Sequence, residues 1–278
     1  MTAPESVYPR TPVGVDPTKP NAARVYNYLL GGKDNYTVDQ LVAERMLVIA
    51  PNTKTAAWFS RKFLLRAVED AARAGIRQFI DIGAGIPISP NVHEIAQKFD
   101  PTARVVMIDY DPVVHAHTHA LLSGATGVIS ILGDIRRTDE IIEKTKTKGR
   151  IDFDQPVAIL LVGVLHFVMD DEHPAEIVAR LRNVMASDSI MAFTHASAWS
   201  SPEFIARVTS DTDASSAQVR FRTPDVVAAF LEGFDVVEPG LVPVQHWLGN
   251  DLPATGLNIL AAIGRKPEQP LTIWEEYR

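Results

Sequence analysis

The sequence contains no cysteine at any of its 278 positions, and this absence removes several kinds of chemistry. Disulfide bonds, zinc sites built on thiolates and a cysteine nucleophile are all excluded. No apolar run reaches the length of a membrane span, since the longest, residues 157–165, has the length of a buried strand. The first residues, MTAPES, have neither a positive flank nor an apolar stretch. We therefore expect a cytoplasmic protein with no membrane partner.

Positive charge is also in deficit, because 27 lysines and arginines face 34 aspartates and glutamates and the formal net charge is -7. Such a chain lacks the broad basic surface that binding to a phosphate backbone requires, so we expect no nucleic-acid partner. The hydrophobic fraction of 46% and the charged fraction of 22% are typical of a soluble globular protein. The length suits one large α/β domain with extensions, or two small domains.

The predicted organisation has four segments. Residues 1–20 contain five prolines and little apolar periodicity, which predicts a flexible arm. Residues 21–75 have the pattern of three helices, which we call the N-terminal helical cap, and Thr37 with Gln40 predicts a capping box at the start of the second. Residues 76–266 form the main domain and residues 267–278 a tail.

Strands and helices alternate through the main domain, which predicts a Rossmann-like α/β fold with a doubly wound sheet. The seven predicted strands are residues 79–82, 104–109, 127–132, 156–164, 189–194, 234–237 and 257–263. Prolines and glycines between the last two leave no room for a crossover helix, so the seventh strand is expected to return antiparallel beside the sixth. The prediction is a seven-stranded, mostly parallel sheet with an antiparallel last strand.

The sharpest motif is FIDIGAGIPIS, residues 79–89, in which an apolar strand ends at two glycines. Gly83 and Gly85 form a turn where no Cβ blocks a ligand, and the helix that follows presents backbone N–H groups to a nucleotide-like molecule. A dinucleotide-binding fold needs a third glycine where Ile88 stands. The acid two residues before the first glycine, Asp81, instead resembles the first motif of methyltransferases that use S-adenosylmethionine.

Three acids stand at the carboxyl ends of the first three predicted strands: Asp81, Asp109 and Asp134. Parallel strands present these ends on one side of the sheet, where open α/β folds bind ligands, so the acids are expected to form one site. By analogy with methyltransferase sites, Asp81 lies near the ammonium group of the methionine part and Asp109 accepts hydrogen bonds from the ribose hydroxyls. Asp134 meets the adenine amino group, and Ile135 packs on the ring.

A closer resemblance extends from about residue 20 to the C-terminus. The segments that carry it are PNAARVYNYLLGGKDNY (20–36), FIDIGAG (79–85), IDYDP (108–112), GDIR (133–136), LVGVLHF (161–167) and EPGLV (238–242). They are similar to those of a family of S-adenosyl methyltransferases long labelled a domain of unknown function. Membership implies the class I fold and S-adenosylmethionine as cofactor, without an established substrate. It also implies that Tyr110 and Gly163 belong to the cofactor site.

The most specific part of this resemblance is LLGGKDNY, residues 29–36. Gly31 and Gly32 end a helix and permit close approach of the backbone, while Asn35 and Tyr36 offer an amide and an aromatic ring. We predict that this segment closes over the cofactor as a lid and keeps water from the sulfonium. The alternative is a capped helix hairpin that packs on the sheet.

Methyl transfer requires little acid–base chemistry, because the sulfonium is already a good leaving group and the protein contributes alignment and a dry site. A general base is needed only when the acceptor loses a proton. His166, just beyond the fourth strand, is the first candidate and His195, beyond the fifth, the second, each with a structural role as the alternative. Three further histidines recur at a spacing of two on a helix, which spreads them around its surface and predicts no metal site.

The fourth strand ends in GVLH, residues 163–166, whereas enzymes that methylate amino groups of DNA bases carry Asn/Asp-Pro-Pro-Tyr/Phe there. Together with the acidic charge, this favours a small-molecule methyl acceptor. The leading hypothesis is an S-adenosylmethionine-dependent methyltransferase. Two alternatives stay open at this point: a regulator that binds S-adenosylmethionine without catalysis, and an NAD-dependent oxidoreductase.

Overall fold

The computed structural model describes residue 16 and residues 18–122, 124–213, 217–249 and 255–268. The predicted arm and the predicted tail lie largely outside these residues. Within the described part, three helices precede a sheet of eight strands whose two faces are both covered by helices. No helix there is both long enough and apolar enough to cross a bilayer.

The first three helices are α1 (Ala22–Leu29), α2 (Thr37–Ile49) and α3 (Thr53–Arg73). A single buried carboxylate, Asp39, joins the starts of α1 and α2. It accepts hydrogen bonds from Arg24 Nε at 2.7 Å and from the backbone N–H groups of Asn21 and Tyr36, each at 2.9 Å. Because four helix-terminal N–H groups have no partner inside a helix, this carboxylate satisfies donors that would otherwise be unpaired.

The predicted capping box of α2 is wrong by one residue. The N-cap residue is Tyr36, and the acid whose side chain bonds back to it is Asp39 rather than Gln40 after Thr37. An ionised carboxylate is a stronger acceptor than an amide oxygen, and it is also favoured beside the positive end of the helix dipole. The sequence thus correctly predicts a capping box at the start of α2, but it is formed by Tyr36 and Asp39 instead of Thr37 and Gln40.

The strands are β1 (Gln78–Ile82), β2 (Arg104–Asp109), β3 (Val128–Leu132), β4 (Ala158–Leu161), β5 (Ile190–Ala196), β6 (Asp235–Val236), β7 (Val242–Pro243) and β8 (Ile259–Arg265). Their order is β3-β2-β1-β4-β5-β8-β6, with β7 also paired to β8. Strands β1 to β5 are parallel, and β8 runs antiparallel to both β5 and β6. This confirms the predicted mostly parallel sheet with an antiparallel last strand.

Two details of the sheet differ from the prediction. The fourth strand is shorter than predicted, because the chain turns at Gly163, whose φ is +75°. The two-residue strand β7 was not predicted. Between β6 and β8, the described residues form β7 and a single 3₁₀ turn, Val244–Trp247, in place of a crossover helix.

The remaining helices are α4 (Val92–Phe99), α5 (Pro112–Leu122), α6 (Thr138–Thr147), α7 (Pro174–Val184), α8 (Pro202–Thr212) and α9 (Pro224–Ala228). One face of the sheet packs against α3 and α4, with Phe63 and Phe79 buried between them. The other face packs against α6 and α7 through Ile141 and Leu181. Helix α3 therefore shares its core with the sheet, and it carries α1 and α2 to the carboxyl ends of the strands.

Candidate active site

A cavity of about 360 Å³ lies at the carboxyl ends of the parallel strands. Its size falls within the range of small-molecule sites, about 300–1,000 Å³. The wall includes residues from β1, β2, β5 and β8, from the segments after β3 and β4, and from α1, α2, α3 and α8. The cavity thus spans the boundary between β1 and β4, where the strand order reverses and open α/β sheets bind ligands.

The structure brings most of the predicted site residues to this cavity. Those that line it are Asp81, Gly83, Gly85, Asp109, Tyr110, Asp134, Ile135, Gly163 and His166. These residues lie close together because most of them stand at or just after the carboxyl ends of parallel strands, which meet on one side of the sheet. Their roles toward a ligand follow from the contacts of each.

The glycine turn after β1 is held in place by β2. The N–H groups of Gly83 and Ala84 donate to the carbonyl oxygen of Ile108 at 2.7 and 3.0 Å. The two glycines of the turn, Gly83 and Gly85, have positive φ values. A Cβ on Gly83 would lie 2.4 Å from a methyl carbon of Val164, so only glycine lets the turns after β1 and β4 meet. A Cβ on Gly85 would meet no atom of the described protein, because this position faces open space.

Asp81 is a buried acid whose side chain has no hydrogen-bond partner among the described residues, although it lines the cavity and is only 3% exposed. Burial raises its pKa to about 7, an effect that the Arg61 guanidinium opposes and the Asp109 carboxyl reinforces. Arg61 is held by the carbonyl oxygens of Ile88 and Pro90 at 2.5 and 2.7 Å. Asp81 therefore presents free acceptor sites to the cavity, where a bound cation would pair with them.

Asp109 is oriented by backbone donors at both oxygens. The N–H of Asp111 lies 3.0 Å from Oδ1 and the N–H of Gly85 lies 3.0 Å from Oδ2. Burial, the largest cause, raises the pKa of Asp109 to about 6, while these N–H groups oppose the shift. Asn21 donates to the Asp111 side chain at 2.5 Å, which ties the start of α1 to this loop. Tyr110 lines the cavity beside it.

Asp134 makes an ion pair that the sequence reasoning missed. Arg136 Nη2 lies 2.6 Å from Asp134 Oδ2, and Arg136 Nη1 lies 2.9 Å from Glu172 Oε1. Burial raises the pKa of Asp134, but the hydrogen bonds and positive charge of Arg136 outweigh it and hold the pKa below its ordinary value. Arg136 stands within the GDIR segment, so a signal was present in the sequence, whereas Glu172 carried none.

His166 lines the cavity just after Gly163, whose N–H donates to Thr194 Oγ1 at 2.9 Å. Neither ring nitrogen of His166 bonds to any residue that the structure describes, and Nδ1 is buried. Burial, together with His195 and the positive charge of Arg222, lowers the pKa of His166 well below its ordinary value. The ring is therefore neutral at neutral pH.

His195 is completely buried and does not line the cavity. Its Nε2 accepts a hydrogen bond from Arg222 at 2.9 Å, so Nδ1 carries the proton and donates to the carbonyl oxygen of Ala196 at 2.8 Å. Burial lowers its pKa to about 4. Both nitrogens are thus engaged in structure, which leaves His166 as the histidine with access to a ligand.

Arg222 was not singled out from the sequence, and no local pattern marks it. It donates to the carbonyl oxygens of Leu165 and Val168 at 3.1 and 2.7 Å and to Asp170 Oδ1 at 2.8 Å. These contacts, together with the bond to His195, hold the segment that carries His166 against β5.

The predicted lid residues Gly31, Gly32, Asn35 and Tyr36 do not line the cavity. Asn35 Nδ2 donates to Asn27 Oδ1 at 2.9 Å and to the carbonyl oxygen of Gly32 at 3.1 Å, and its own Oδ1 accepts from Gln40. A Cβ on Gly32 would lie 2.3 Å from the Asn27 amide, so this position requires glycine. This arrangement corresponds to the alternative of a capped helix hairpin, and α1 supplies the N-terminal wall of the cavity instead.

The three helical histidines lie on α5, with the rings of His115 and His119 6.4 Å apart and His115 bonded to Ser130. Across the described ranges, no group of three or more histidine, aspartate and glutamate side chains has an arrangement suited to a metal ion.

A family model of S-adenosyl methyltransferases matches residues 10–267, nearly the whole chain. The chain belongs to this family. It is accordingly an S-adenosylmethionine-dependent methyltransferase, and S-adenosylmethionine is its cofactor. Family membership decides against the NAD-dependent oxidoreductase.

Solved structures agree with this assignment. The methyltransferase is 33% identical to a DUF574 family protein from Streptomyces avermitilis, with a TM-score of 0.84, and the match covers 90% of this chain and 98% of that one. It is 36% identical to a proposed methyltransferase from Thermobifida fusca, also with a TM-score of 0.84, covering 94% and 100% of the chains. An O-methyltransferase family protein from Burkholderia thailandensis, 13% identical with a TM-score of 0.50 over 79% and 61% of the chains, shares the fold alone. Among curated proteins, none matches this chain.

Proposed function

We propose that the methyltransferase binds S-adenosylmethionine at the ends of β1, β2 and β3 and methylates a small molecule held in the same cavity. The observation that carries the proposal is the Asp81 carboxyl, which is buried, lines the cavity and accepts no hydrogen bond from the described residues, although the Arg61 guanidinium acts on it electrostatically. A buried carboxylate requires a hydrogen-bonded cation, and the ammonium group of the methionine part is such a cation.

The neighbouring residues fit the rest of the cofactor. Gly85 leaves open space above the turn after β1, which permits the methionine part to approach the backbone. Asp109 is held in place by backbone N–H groups, among them those of Gly85 and Asp111, so its carboxylate is oriented to accept hydrogen bonds from the ribose hydroxyls. Asp134 and Ile135 lie after β3, at the far end of this row, where the adenine would sit. Tyr110 and Gly163 complete the wall.

A small acceptor is supported by the walls of the cavity. Helices α1, α2 and α8 contribute to them in addition to the sheet, and the cavity volume is about 360 Å³. Helices α2 and α8 are joined by the ion pair of Arg45 with Asp211, at 2.9 Å. The net charge of -7 argues in addition against an extended phosphate backbone as acceptor.

S-adenosylmethionine supplies an electrophilic methyl group: the acceptor atom forms its bond to the methyl carbon while the carbon–sulfur bond breaks and sulfur keeps the electron pair. His166 takes the proton that an acceptor O–H or N–H must lose. Because its pKa is lowered, His166 accepts that proton most readily once the acceptor atom has become positively charged. Arg222 and His195 hold the His166 segment, and the apolar wall keeps water from the reacting atoms.

Calorimetric titration of the cofactor, followed by detection of S-adenosylhomocysteine with a panel of small metabolites, tests the proposal. Saturable binding that Asp81→Asn weakens at least about tenfold is expected, since a charge-assisted hydrogen bond is lost. Glu176→Gln is the matched control, because Glu176 is exposed on α7 away from the cavity. Unchanged affinity in Asp81→Asn, or turnover only with a nucleic acid or protein acceptor, would contradict it.

A further inference from the structure

We infer that the methyl acceptor is an uncharged molecule with an apolar body, bound over β4, β5 and β8 beneath α2 and α8. The inference rests on the proposed function, because it takes the part of the cavity over β1, β2 and β3 as the cofactor site. It assigns the other part, which we call the apolar half, to the acceptor.

Charge is distributed unevenly along the cavity wall. The charged side chains among the described lining residues are Arg61, Asp81, Asp109, Asp134, Arg136 and Glu172. Four of them belong to the ends of β1 and β2 or to the segment after β3, Arg61 interacts with Asp81, and Glu172 is bonded to Arg136. All six therefore lie in the part assigned to the cofactor.

The sheet order separates the two parts. Strands β3, β2 and β1 are consecutive neighbours, and β4, β5 and β8 are the next three. Since neighbouring strands lie about 4.8 Å apart, the second group of strands lies beside the cofactor site rather than beneath it. The apolar half is lined mainly by hydrocarbon side chains, among them Val42, Met46, Phe204, Val208, Phe221 and Leu257.

Most polar groups in the apolar half are already bonded to the protein. The Tyr26 hydroxyl donates to the carbonyl oxygen of Ala57 at 3.1 Å. The hydroxyls of Ser60 and Thr194 lie 3.3 Å apart, and Thr194 also accepts from the N–H of Gly163. His166 remains available at the boundary with the cofactor site.

A charged acceptor would lose its hydration here without gaining an opposite charge, and such a transfer costs several kcal/mol. A neutral aromatic or aliphatic body gains free energy instead, since it covers apolar surface. The reacting atom, a hydroxyl or a weakly basic ring nitrogen, would then lie near His166, with the apolar body directed toward α8. The geometry thus selects against both carboxylate and ammonium acceptors.

Sets of matched compounds test this inference on the wild-type protein loaded with S-adenosylhomocysteine. Each set holds one skeleton in a neutral, an anionic and a cationic form, such as 4-propylphenol, 3-(4-hydroxyphenyl)propionate and tyramine. Neutral members are expected to bind at least about tenfold more tightly than their charged partners, because of the uncompensated desolvation. Equal or tighter binding of the charged members, or no binding of any neutral member, would overturn the inference.

A pair of variants on α2 places the binding in the cavity. Met46→Glu introduces a carboxylate into the apolar half and should abolish binding of the neutral compounds. Val48→Glu adds the same charge two residues away, where the side chain is 83% exposed, and should leave that binding unchanged. Equal effects of the two variants on binding of the neutral compounds would contradict the assignment of the apolar half to the acceptor. The tests with the compound sets use the wild-type protein, so they remain valid if a variant fails to fold.

Cofactor titration of the same samples separates the two proposals. If S-adenosylmethionine fails to bind or is insensitive to Asp81→Asn, the proposed function fails. If the cofactor binds as expected but charged compounds are preferred, only the acceptor inference fails. Met46→Glu should retain cofactor affinity, because Met46 lies in the apolar half.

Discussion

The proposed pairing of Asp81 with the cofactor ammonium group predicts that cofactor affinity depends on pH, because burial raises the pKa of Asp81 to about 7. The protonated acid has no charge to pair with an ammonium group, so binding is weak below the pKa. We expect the dissociation constant to fall as the pH rises from about 5.5 to 7.5, by up to roughly tenfold per unit on the acidic side. Calorimetry in matched buffers measures the slope.

Asp81→Asn is the control for that slope, since an amide does not titrate. Its affinity should be lower and much less dependent on pH than that of the wild type. A steep slope that persists in Asp81→Asn would assign the effect to another group, such as Asp109, whose pKa is raised to about 6.

Asp109→Ala should raise the dissociation constant of S-adenosylmethionine roughly ten- to a hundredfold, which corresponds to about 1.5–3 kcal/mol. Two causes contribute to the weaker binding. The ribose loses its proposed contacts with the carboxylate, and the N–H groups of Gly85 and Asp111 lose the acceptor that holds their loops in place. Titration calorimetry with circular dichroism as a check of folding measures the change. An unchanged affinity would place the ribose elsewhere.

Single residues were predictable from the sequence where a local rule applied. The three acids Asp81, Asp109 and Asp134 follow from strand ends alone, and all line the cavity. Arg61 and Arg222 act on residues far from them in the chain, on the turn after β1 and on the segment before Asp170. Such contacts depend on tertiary packing, so no pattern in a single sequence indicates them.

At the scale of elements, the joint between α1 and α2 depends on the buried ion pair of Arg24 and Asp39. Asp39→Ala leaves the Arg24 guanidinium buried without its partner, and we expect a loss of about 3–5 kcal/mol in the free energy of unfolding. Chemical denaturation measures it. Arg66→Ala, which removes a pair exposed on α3, should cost about 1 kcal/mol or less. Similar losses in the two variants would show that the buried ion pair of Arg24 and Asp39 does not hold α1 and α2 together.

The hairpin between α1 and α2 yields a prediction that separates a lid from packing. Asn35→Ala with Tyr36→Ala removes the hydrogen bonds of Asn35 to Asn27 and Gly32, so the melting temperature should fall while cofactor affinity changes little. Thermal melting and titration of the same double variant measure the two effects. A native-like melting temperature together with lost cofactor affinity would instead support the lid hypothesis.

Elements were predictable where a long apolar run or a proline-based start marked them. The second strand has the predicted bounds, Arg104–Asp109, and α8 starts after Ser201 as its Ser-Pro pair indicates. Boundaries that depend on contacts with residues distant in the sequence were not predictable in this way. The cap of α2 uses Asp39, which also serves α1, and the short strand β7 exists only because β8 lies beside it.

For the whole molecule, α3 belongs to the same core as the sheet, which predicts a single unfolding transition. S-adenosylmethionine at a hundred times its dissociation constant should stabilise the native state by about 2.7 kcal/mol, whereas NAD should have no effect. Differential scanning calorimetry with each ligand measures this. Two separate transitions, of which the cofactor shifts only one, would show that residues 21–75 unfold independently of the sheet.

Strand β8 has a consequence for the synthesis of the protein. It pairs with β5 along seven residues and separates β5 from β6, although all the other described strands precede it in the chain. Until residues 259–265 have been made, β5 has an open apolar edge of the kind that promotes association with other chains. Ile259 also lines the cavity, so the cavity wall is incomplete at that stage. We therefore expect a nascent chain that stalls before β8 to have an incomplete cavity and to be prone to aggregate.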